Sequence, residues 1–179
     1  NRNRDIFGGT VKLIFEPAEE TTGGAKVMIE EGILKNPDVD MVYGLHMEET
    51  IDTGTIMVKR DTVNAASNPF KIVVKGKGAH GAYPAAAVDP IVASSQIIMA
   101  LQTIISREIN PSNSAVVTVG FIHGGTASNI IPDEVEIGGI IRTITKEDRE
   151  HSVKRVKEIA EGIARTLRTE CQIEIEESY

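Results

Sequence analysis

The chain has 179 residues, of which 41% are hydrophobic and 25% charged, as is usual for a soluble globular protein with a buried core. A net charge of −7 and the absence of tryptophan speak against nucleic acid or an anionic membrane as a partner. No apolar run approaches the roughly 20 residues that a membrane-spanning helix needs. The single cysteine, Cys171, cannot form an internal disulfide, so we expect a core role for it and a reducing, cytoplasmic compartment.

The beginning of the chain resembles the middle of a protein. It opens Asn1-Arg2-Asn3-Arg4, without methionine, and its first predicted element is a strand that needs earlier strands beside it. We therefore expect a fragment of a longer protein, and a targeting signal could lie in the missing part.

Residues 1–60 show an α/β pattern. It consists of a strand at Thr10–Phe15, a helix at about Thr22–Ile33, a strand at Asp40–Leu45 and a short strand at Thr55–Val58. Strand, helix and strand joined by Gly-rich turns indicate a βαβ unit, and hence part of a parallel sheet that needs further strands.

Residues 61–179 follow a different pattern, which is β-α-β-β-α-β. The predicted strands are Phe70–Lys75, Ala115–Ile122, Glu134–Arg142 and Gln172–Glu176. One helix begins with Asp89 as N-cap and Pro90 at its first position, and Ile91, Ile98, Leu101 and Ile105 lie on its apolar face. The other begins near Thr145, where residues 145–148 resemble a capping box, and its apolar stripe consists of Val153, Val156, Ile163 and Leu167. This order predicts a ferredoxin-like fold, with both helices on one face of a four-stranded antiparallel sheet.

Acidic and imidazole side chains follow two of the predicted parallel strands. Glu19 and Glu20 come after the first strand and His46 ends the next, so all three should lie at one edge of the sheet. Two adjacent carboxylates need a cation or a shared proton, and with an imidazole they suit zinc, manganese or cobalt. Catalytic metals usually have about three protein ligands, so further ligands would come from outside this sequence. The alternative is an acidic turn and a surface histidine.

Three more polar residues are candidates in the second pattern. His80 lies in a Gly-rich turn that would hold its side chain outward, although an exposed histidine without a function fits the spacing equally well. Asn129 and Arg142 could bind a substrate carboxylate, since arginine forms bidentate pairs. Their alternatives are a loop cap and a surface ion pair.

Four motifs together resemble a known family. They are FEPAEE at 15–20, GLH at 44–46, GKGAHGAYP at 76–84, and NIIPDEV at 129–135 followed by IRT at 141–143. In this order they are similar to motifs of the metal-dependent amidohydrolases that include aminoacylase, hippurate hydrolase and indole-acetyl-amino-acid hydrolase. The resemblance covers almost the whole chain.

The resemblance implies a two-domain subunit with two divalent metal ions in a catalytic domain and a ferredoxin-like lid that forms a homodimer. Residues 1–60 would be part of the catalytic domain and residues 61–179 the lid. By resemblance Glu19 is the general base, and Glu20 and His46 are metal ligands.

The lid residues also take roles by resemblance. His80 polarises the scissile carbonyl, typically in the active site of the partner subunit, and Asn129 and Arg142 hold the substrate carboxylate. The expected reaction is hydrolysis of N-acetyl or N-aroyl amino acids.

The sequence departs from the family pattern in two respects. The upstream metal-binding segment and a late histidine are absent, so we expect the chain to be inactive alone. Ala85 replaces a histidine that many relatives carry after the proline. The alternatives are a dipeptidase or carboxypeptidase on the same scaffold, a non-catalytic dimerisation module, or a binding protein that has lost its chemistry.

Overall fold

The computed structural model describes residues 8–19 and 23–176. The chain divides into two compact units, Asn1–Met57 and Val58–Tyr179, and the boundary expected from the sequence, between residues 60 and 61, lies close to this division. Each unit is described by itself.

The first unit contains one short helix, α1 (Ala25–Glu30), within its described part. The strands predicted at Thr10–Phe15, Asp40–Leu45 and Thr55–Val58 are not formed, and α1 is shorter than predicted, so these predictions are wrong for the chain as it folds. A strand exists only when a neighbour completes its hydrogen bonds, and a parallel strand needs partners that arrive through crossover connections. None of the described residues supplies such a partner to these segments.

The second unit is built on a four-stranded antiparallel sheet. Its strands are β1 (Ala66–Lys75), β3 (Ala115–Gly124), β5 (Glu134–Thr143) and β6 (Glu170–Ile175), in the order β3-β5-β1-β6. Two very short strands, β2 (Ala79–His80) and β4 (Ile130–Ile131), pair separately. This topology confirms the predicted ferredoxin-like arrangement.

Two long helices cover one face of the sheet. They are α2 (Pro90–Thr103), which continues into a π-helical turn at Ile104–Glu108, and α3 (Lys146–Thr166). The predicted caps are confirmed. The Asp89 carboxylate accepts the amide of Ile91 at 2.8 Å, and the Thr145 hydroxyl accepts the amide of Asp148 at 3.2 Å.

The core lies between this sheet and the helices. Alternate residues of β1 are buried, and they pack against inward residues of β5 and against both helices, as the period of 2 requires. The fully buried side chains include Ile72, Val74, Ile97, Leu101, Ile137, Ile141 and Val156.

The predicted helix faces need a correction. On α2, Ile91 is 43% exposed, and the buried face is formed by Ala93, Ile97 and Leu101. On α3, the predicted Val156 is fully buried together with small residues such as Ala160. The other predicted residues are partly buried beside them, namely Val153, Ile163 and Leu167. A search for large apolar residues overlooks small ones such as Ala93 and Ala160, which are completely buried.

Candidate functional site

The described part of the acidic motif, residues 15–19, precedes α1 and ends in a turn at residues 17–19. The Glu16 carboxylate accepts the amide of Ala25 at 2.9 Å, and the amide of Gly23 donates to the carbonyl of Ala18 at 2.8 Å. Glu16 therefore binds the first turn of the helix, and Glu19 lies in an exposed turn between these contacts. Glu20 lies outside the described residues.

His46 lies in an exposed segment of the same unit. Glu48, two residues further on, accepts the hydroxyl of Thr50 at 2.8 Å and its amide at 3.3 Å. These hydrogen bonds lower the pKa of Glu48 below its ordinary value, with a smaller contribution from His46. Across residues 8–19 and 23–176, no three acidic, histidine or cysteine side chains are grouped closely enough to hold a metal ion.

In the second unit, His80 lies on a turn that hydrogen bonds hold along its length. We call residues 76–84 the His80 turn. Its strand β2 pairs with β4, so that His80 faces Ile130, and the amide of Gly81 donates to the carbonyl of Asn129 at 2.7 Å. The structure therefore brings two predicted site residues, His80 and Asn129, to the same place.

Asp133 joins the beginning of this turn to β5. The amide of Gly76 donates to its carbonyl at 2.7 Å, and the amide of Gly78 donates to its carboxylate Oδ1 at 2.8 Å. Both glycines are needed because the backbone approaches closely. A Cβ would lie 2.1 Å from the Val88 carbonyl oxygen at Gly76 and 2.8 Å from the Ile131 carbonyl oxygen at Gly78. Apart from its place in the motif at residues 129–135, nothing in the sequence indicates this role of Asp133.

The imidazole of His80 has a defined tautomer in its neutral form. Its Nδ1 accepts the amide of Ala82 at 3.1 Å, so the proton of the neutral ring is on Nε2. The ring lies 5.7 Å from the ring of Tyr83, and the residue is exposed. His80 thus presents an N–H donor outward.

Arg142 lies far from His80 within the same unit. It pairs with Ser67 on one side and Val116 on the other, at the end of β5 opposite to Glu134, and it donates to the carbonyl of Ala65 at 3.4 Å. Eight residues of strand at about 3.4 Å each place Glu134 and Arg142 about 27 Å apart. The structure therefore does not bring Arg142 together with His80 and Asn129.

The other reactive side chains of the second unit are partly buried or make structural contacts. Burial raises the pKa of the Cys171 thiol, which keeps it protonated and unsuited to act as a nucleophile. The His123 ring stacks on Phe121 with centroids 4.7 Å apart, and His151 contacts Glu108 at 2.9 Å.

A cavity of about 250 Å³ lies in the first unit, but it contains none of the predicted site residues. Lys12 lies on its wall and donates to the carbonyls of Ile33 at 2.8 Å and Lys35 at 2.6 Å. The lysine thus ties the residues after α1 to the segment before the acidic motif, and we assign the cavity no chemical role.

None of the helices within the described ranges is long and apolar enough to span a membrane. Residues 66–167 match the family model described as the M20 peptidase dimerisation domain. These residues include the His80 turn and all of the four-stranded sheet except β6.

The chain is also similar to proteins of named activity. It is 44% identical over 162 residues to N-acetyl-L-cysteine deacetylase of Bacillus subtilis, covering 90% of the chain and 38% of that protein. It is 37% identical over 178 residues to thermostable carboxypeptidase 2 of Saccharolobus solfataricus, covering 98% of the chain and 45% of that protein. The chain thus spans less than half the length of the curated relatives it matches.

A solved structure from Bacillus subtilis, described as a dinuclear metal-binding peptidase of the M20 family, superposes with a TM-score of 0.65. The identity is 34%, and the match covers 90% of this chain and 39% of that one. The fold and the matched segment define a domain of the peptidase dimerisation type. The chain belongs to the M20 peptidase family.

Proposed function

We propose that the chain is part of an enzyme that hydrolyses the amide bond of N-acyl amino acids, such as N-acetyl or N-aroyl amino acids. The observation that carries the proposal is the His80 turn, which presents an imidazole N–H outward at the place of the lid motif. The similarity to a deacetylase of an N-acetyl amino acid supports the same reaction class.

In the proposed reaction, each unit contributes one catalytic residue. Glu19 takes a proton from the attacking water, whose oxygen bonds to the amide carbon, and passes this proton to the leaving nitrogen as the C–N bond breaks. The Nε2–H of His80 donates to the carbonyl oxygen as negative charge develops on it. The products are a carboxylic acid and a free amino acid.

Glu20 and His46 would contribute to a site for two divalent metal ions in each full-length subunit. A carboxylate and an imidazole are suitable ligands for zinc, manganese or cobalt, but two side chains are too few, and the described residues contain no metal-binding cluster. The remaining ligands would come from outside this chain. Metal ions, when bound, would acidify the attacking water.

The separation of His80 from Arg142 supports the participation of two copies. The carboxylate and the scissile carbonyl of an N-acyl amino acid are only a few bonds apart. Arg142 lies about 27 Å along β5 from Glu134, where the strand adjoins the His80 turn, so Arg142 and His80 of one lid cannot both contact the same substrate. We infer that His80 and Asn129 serve the active site of the partner subunit. Arg142 would hold a substrate carboxylate in the other site of the dimer.

The side of the second unit formed by β3 and α2 suits pairing with a second copy. β3 is an edge strand, and Val116, Phe121 and Ile122 on it are 49%, 40% and 47% exposed. On α2, which contacts β3, Val92 and Met99 are 49% and 69% exposed. An exposed edge with apolar side chains can bind another strand.

This dimer is tested by sedimentation of Ile122→Asp. We expect the variant to be monomeric at concentrations at which the unchanged chain is dimeric, because a charge would have to be buried in the interface. Gln172→Asp on β6, the opposite edge, is the control and should remain dimeric. Equal dimerisation of both variants would exclude the β3 side as the interface.

The activity is tested on the full-length protein. We expect bound divalent metal and turnover of N-acetyl or N-benzoyl amino acids, and neither in this chain alone. Glu19→Gln should retain the metal and lose about 10²- to 10⁴-fold in kcat, which is the usual contribution of a general base. Normal turnover in this variant would refute the role of Glu19, and a full-length protein without hydrolysis would refute the proposed function.

A second candidate is a carboxypeptidase or dipeptidase, which the similarity to a thermostable carboxypeptidase favours. It uses the same residues and differs in the group on the acyl side. Comparison of kcat/KM for N-acetyl amino acids and for dipeptides with the same C-terminal residue separates the two. A higher value for the dipeptides would favour the peptidase.

A further inference from the structure

We propose that Asp133 is a positioning residue for His80, a role that no motif assigns to it and that rests on the proposed function of His80 in hydrolysis. Asp133 lies between β4 and β5 and is separated from Gly78 by 55 residues in sequence. It binds the His80 turn through two different oxygens, the carbonyl to the amide of Gly76 and carboxylate Oδ1 to the amide of Gly78.

These contacts fix the strand that carries the imidazole. Gly76 is the first residue after β1, and Gly78 directly precedes β2, so Asp133 binds the chain on both sides of Lys77. Lys77 itself exchanges backbone hydrogen bonds with Val88, at 2.8 Å and 3.0 Å. The entry to β2 is therefore held from two sides. Beyond β2 the amide of Gly81 donates to the Asn129 carbonyl, and the amide of Tyr83 donates locally to the carbonyl of His80 at 2.8 Å.

The hydrogen bond to Gly78 has a charged acceptor and is therefore stronger than a bond to a neutral oxygen. β2 has only two residues and a single pairing partner, so it has little stability of its own. Without the Asp133 carboxylate, Gly78 would lose its acceptor and its wide backbone freedom would return. His80, two residues further on, would then lose its fixed orientation.

Without the Asp133 contact, His80 should lose its orientation toward the substrate carbonyl. This loss should affect catalysis more than substrate binding. An oxyanion donor works because it is held where the charge develops, and a misplacement of about 1 Å can cost about a hundredfold in rate. Asp133→Ala should therefore lower kcat by about ten- to a hundredfold in the full-length enzyme and change KM by less than about threefold. Asp133→Asn retains an oxygen acceptor for Gly78 and should recover most of the rate.

Asp148→Ala is the matched control. Asp148 also accepts two hydrogen bonds at a junction of elements, from the Thr145 hydroxyl and the side-chain amide of Asn113, both at 2.7 Å. It lies at the start of α3, directly after the end of β5 that is opposite to Asp133. Its loss should lower the melting temperature to a similar extent as Asp133→Ala and leave kcat unchanged.

A second readout does not depend on activity. In the 179-residue chain, amide hydrogen exchange at Gly78 and Gly81 and the ¹⁵N chemical shifts of the His80 ring should change in Asp133→Ala. We expect exchange at Gly78 to be at least about tenfold faster and the Nε2–H tautomer to lose its dominance. Asp133→Asn and Asp148→Ala should behave as the unchanged chain does.

The two readouts separate the inference from the function on which it rests. If the full-length protein hydrolyses no N-acyl amino acid, the proposed function fails, and the exchange and ¹⁵N data still decide whether Asp133 positions His80. If Asp133→Ala does not fold, Asp133→Ser tests the same contact, because its shorter hydroxyl replaces the carboxylate that accepts the amide of Gly78. An unchanged His80 ring together with an unchanged kcat in either folded variant would overturn the inference.

Discussion

The two units of this chain contain similar sequence patterns and differ in what those patterns form. In the second unit, alternating apolar residues form four strands that hydrogen-bond to each other and bury side chains such as Ile72 and Ile137 completely. In the first unit, comparable segments form no strand, and Phe15 and Tyr43 are 82% and 87% exposed. The difference shows that apolar alternation produces a strand only where the partner strand is available.

The two units also differ in how they hold the candidate site residues. The second unit holds His80 on a turn with bonds to β4 and Asp133. The first unit holds Glu19 and His46 on exposed segments without a metal-binding cluster among the described residues. The lid part of the proposed site is thus held by hydrogen bonds in this chain, whereas Glu19 and His46 lie on exposed segments.

The largest effect should come from separating the units. Residues 58–179 have their own core and sheet, so we expect them to unfold cooperatively on heating. Residues 1–57 should show no cooperative transition, because none of the described residues among them is fully buried. Circular dichroism on the two separate polypeptides measures this. A cooperative transition in residues 1–57 would break the comparison.

A matched pair of substitutions should give the next largest effect. Ile137, on β5, is fully buried, whereas Ile56, in the first unit, is 74% exposed. Ile137→Ala should lower the free energy of unfolding of the second unit by about 3 kcal/mol, because it leaves a cavity in the core. Ile56→Ala should change that free energy by no more than about 0.5 kcal/mol. Chemical denaturation of the two variants measures both values, and equal losses would contradict the assigned burial.

The smallest effect concerns the ionic contact between the helices of the second unit. Arg155 donates to Glu108 through Nε at 2.8 Å, and His151 Nε2 lies 2.9 Å from the same oxygen. Hydrogen bonds hold the pKa of Glu108 below the ordinary value of a glutamate. The bond from Arg155 is the largest cause, and the bond from His151 is a further one. Glu108→Gln should therefore lower the free energy of unfolding at neutral pH by about 1 kcal/mol.

The pH dependence of this effect has a defined sign. Because the pKa of Glu108 is lowered by folding, its contribution is complete above the ordinary pKa of a glutamate and is lost as the pH falls through the lowered value. The difference between Glu108→Gln and the unchanged chain should thus decrease in acid. Glu150→Gln, which removes an exposed pair with Lys146, is the control and should have almost no effect at any pH. A constant difference would show that the Glu108 charge does not contribute.

The sequence predicted the second unit well because its signals are local. The alternation in β1 and the caps at Asp89 and Thr145 depend on neighbouring residues, and each is found where it was predicted. The role of Asp133 could not be predicted in this way, because it depends on backbone amides 55 and 57 residues away. The strands of the first unit were predicted from equally good local patterns, and they fail because strand formation is not local.

The most direct test of the divided site is a heterodimer of two inactive full-length subunits. One subunit carries Glu19→Gln and the other His80→Ala, and two affinity tags isolate the mixed dimer. If His80 serves the site of the partner subunit, one of the two sites contains both an intact Glu19 and an intact His80. The mixed dimer should then have about half of the wild-type turnover. A mixed dimer as inactive as its two parents would contradict this account, because Glu19 and His80 would then have to act within one subunit.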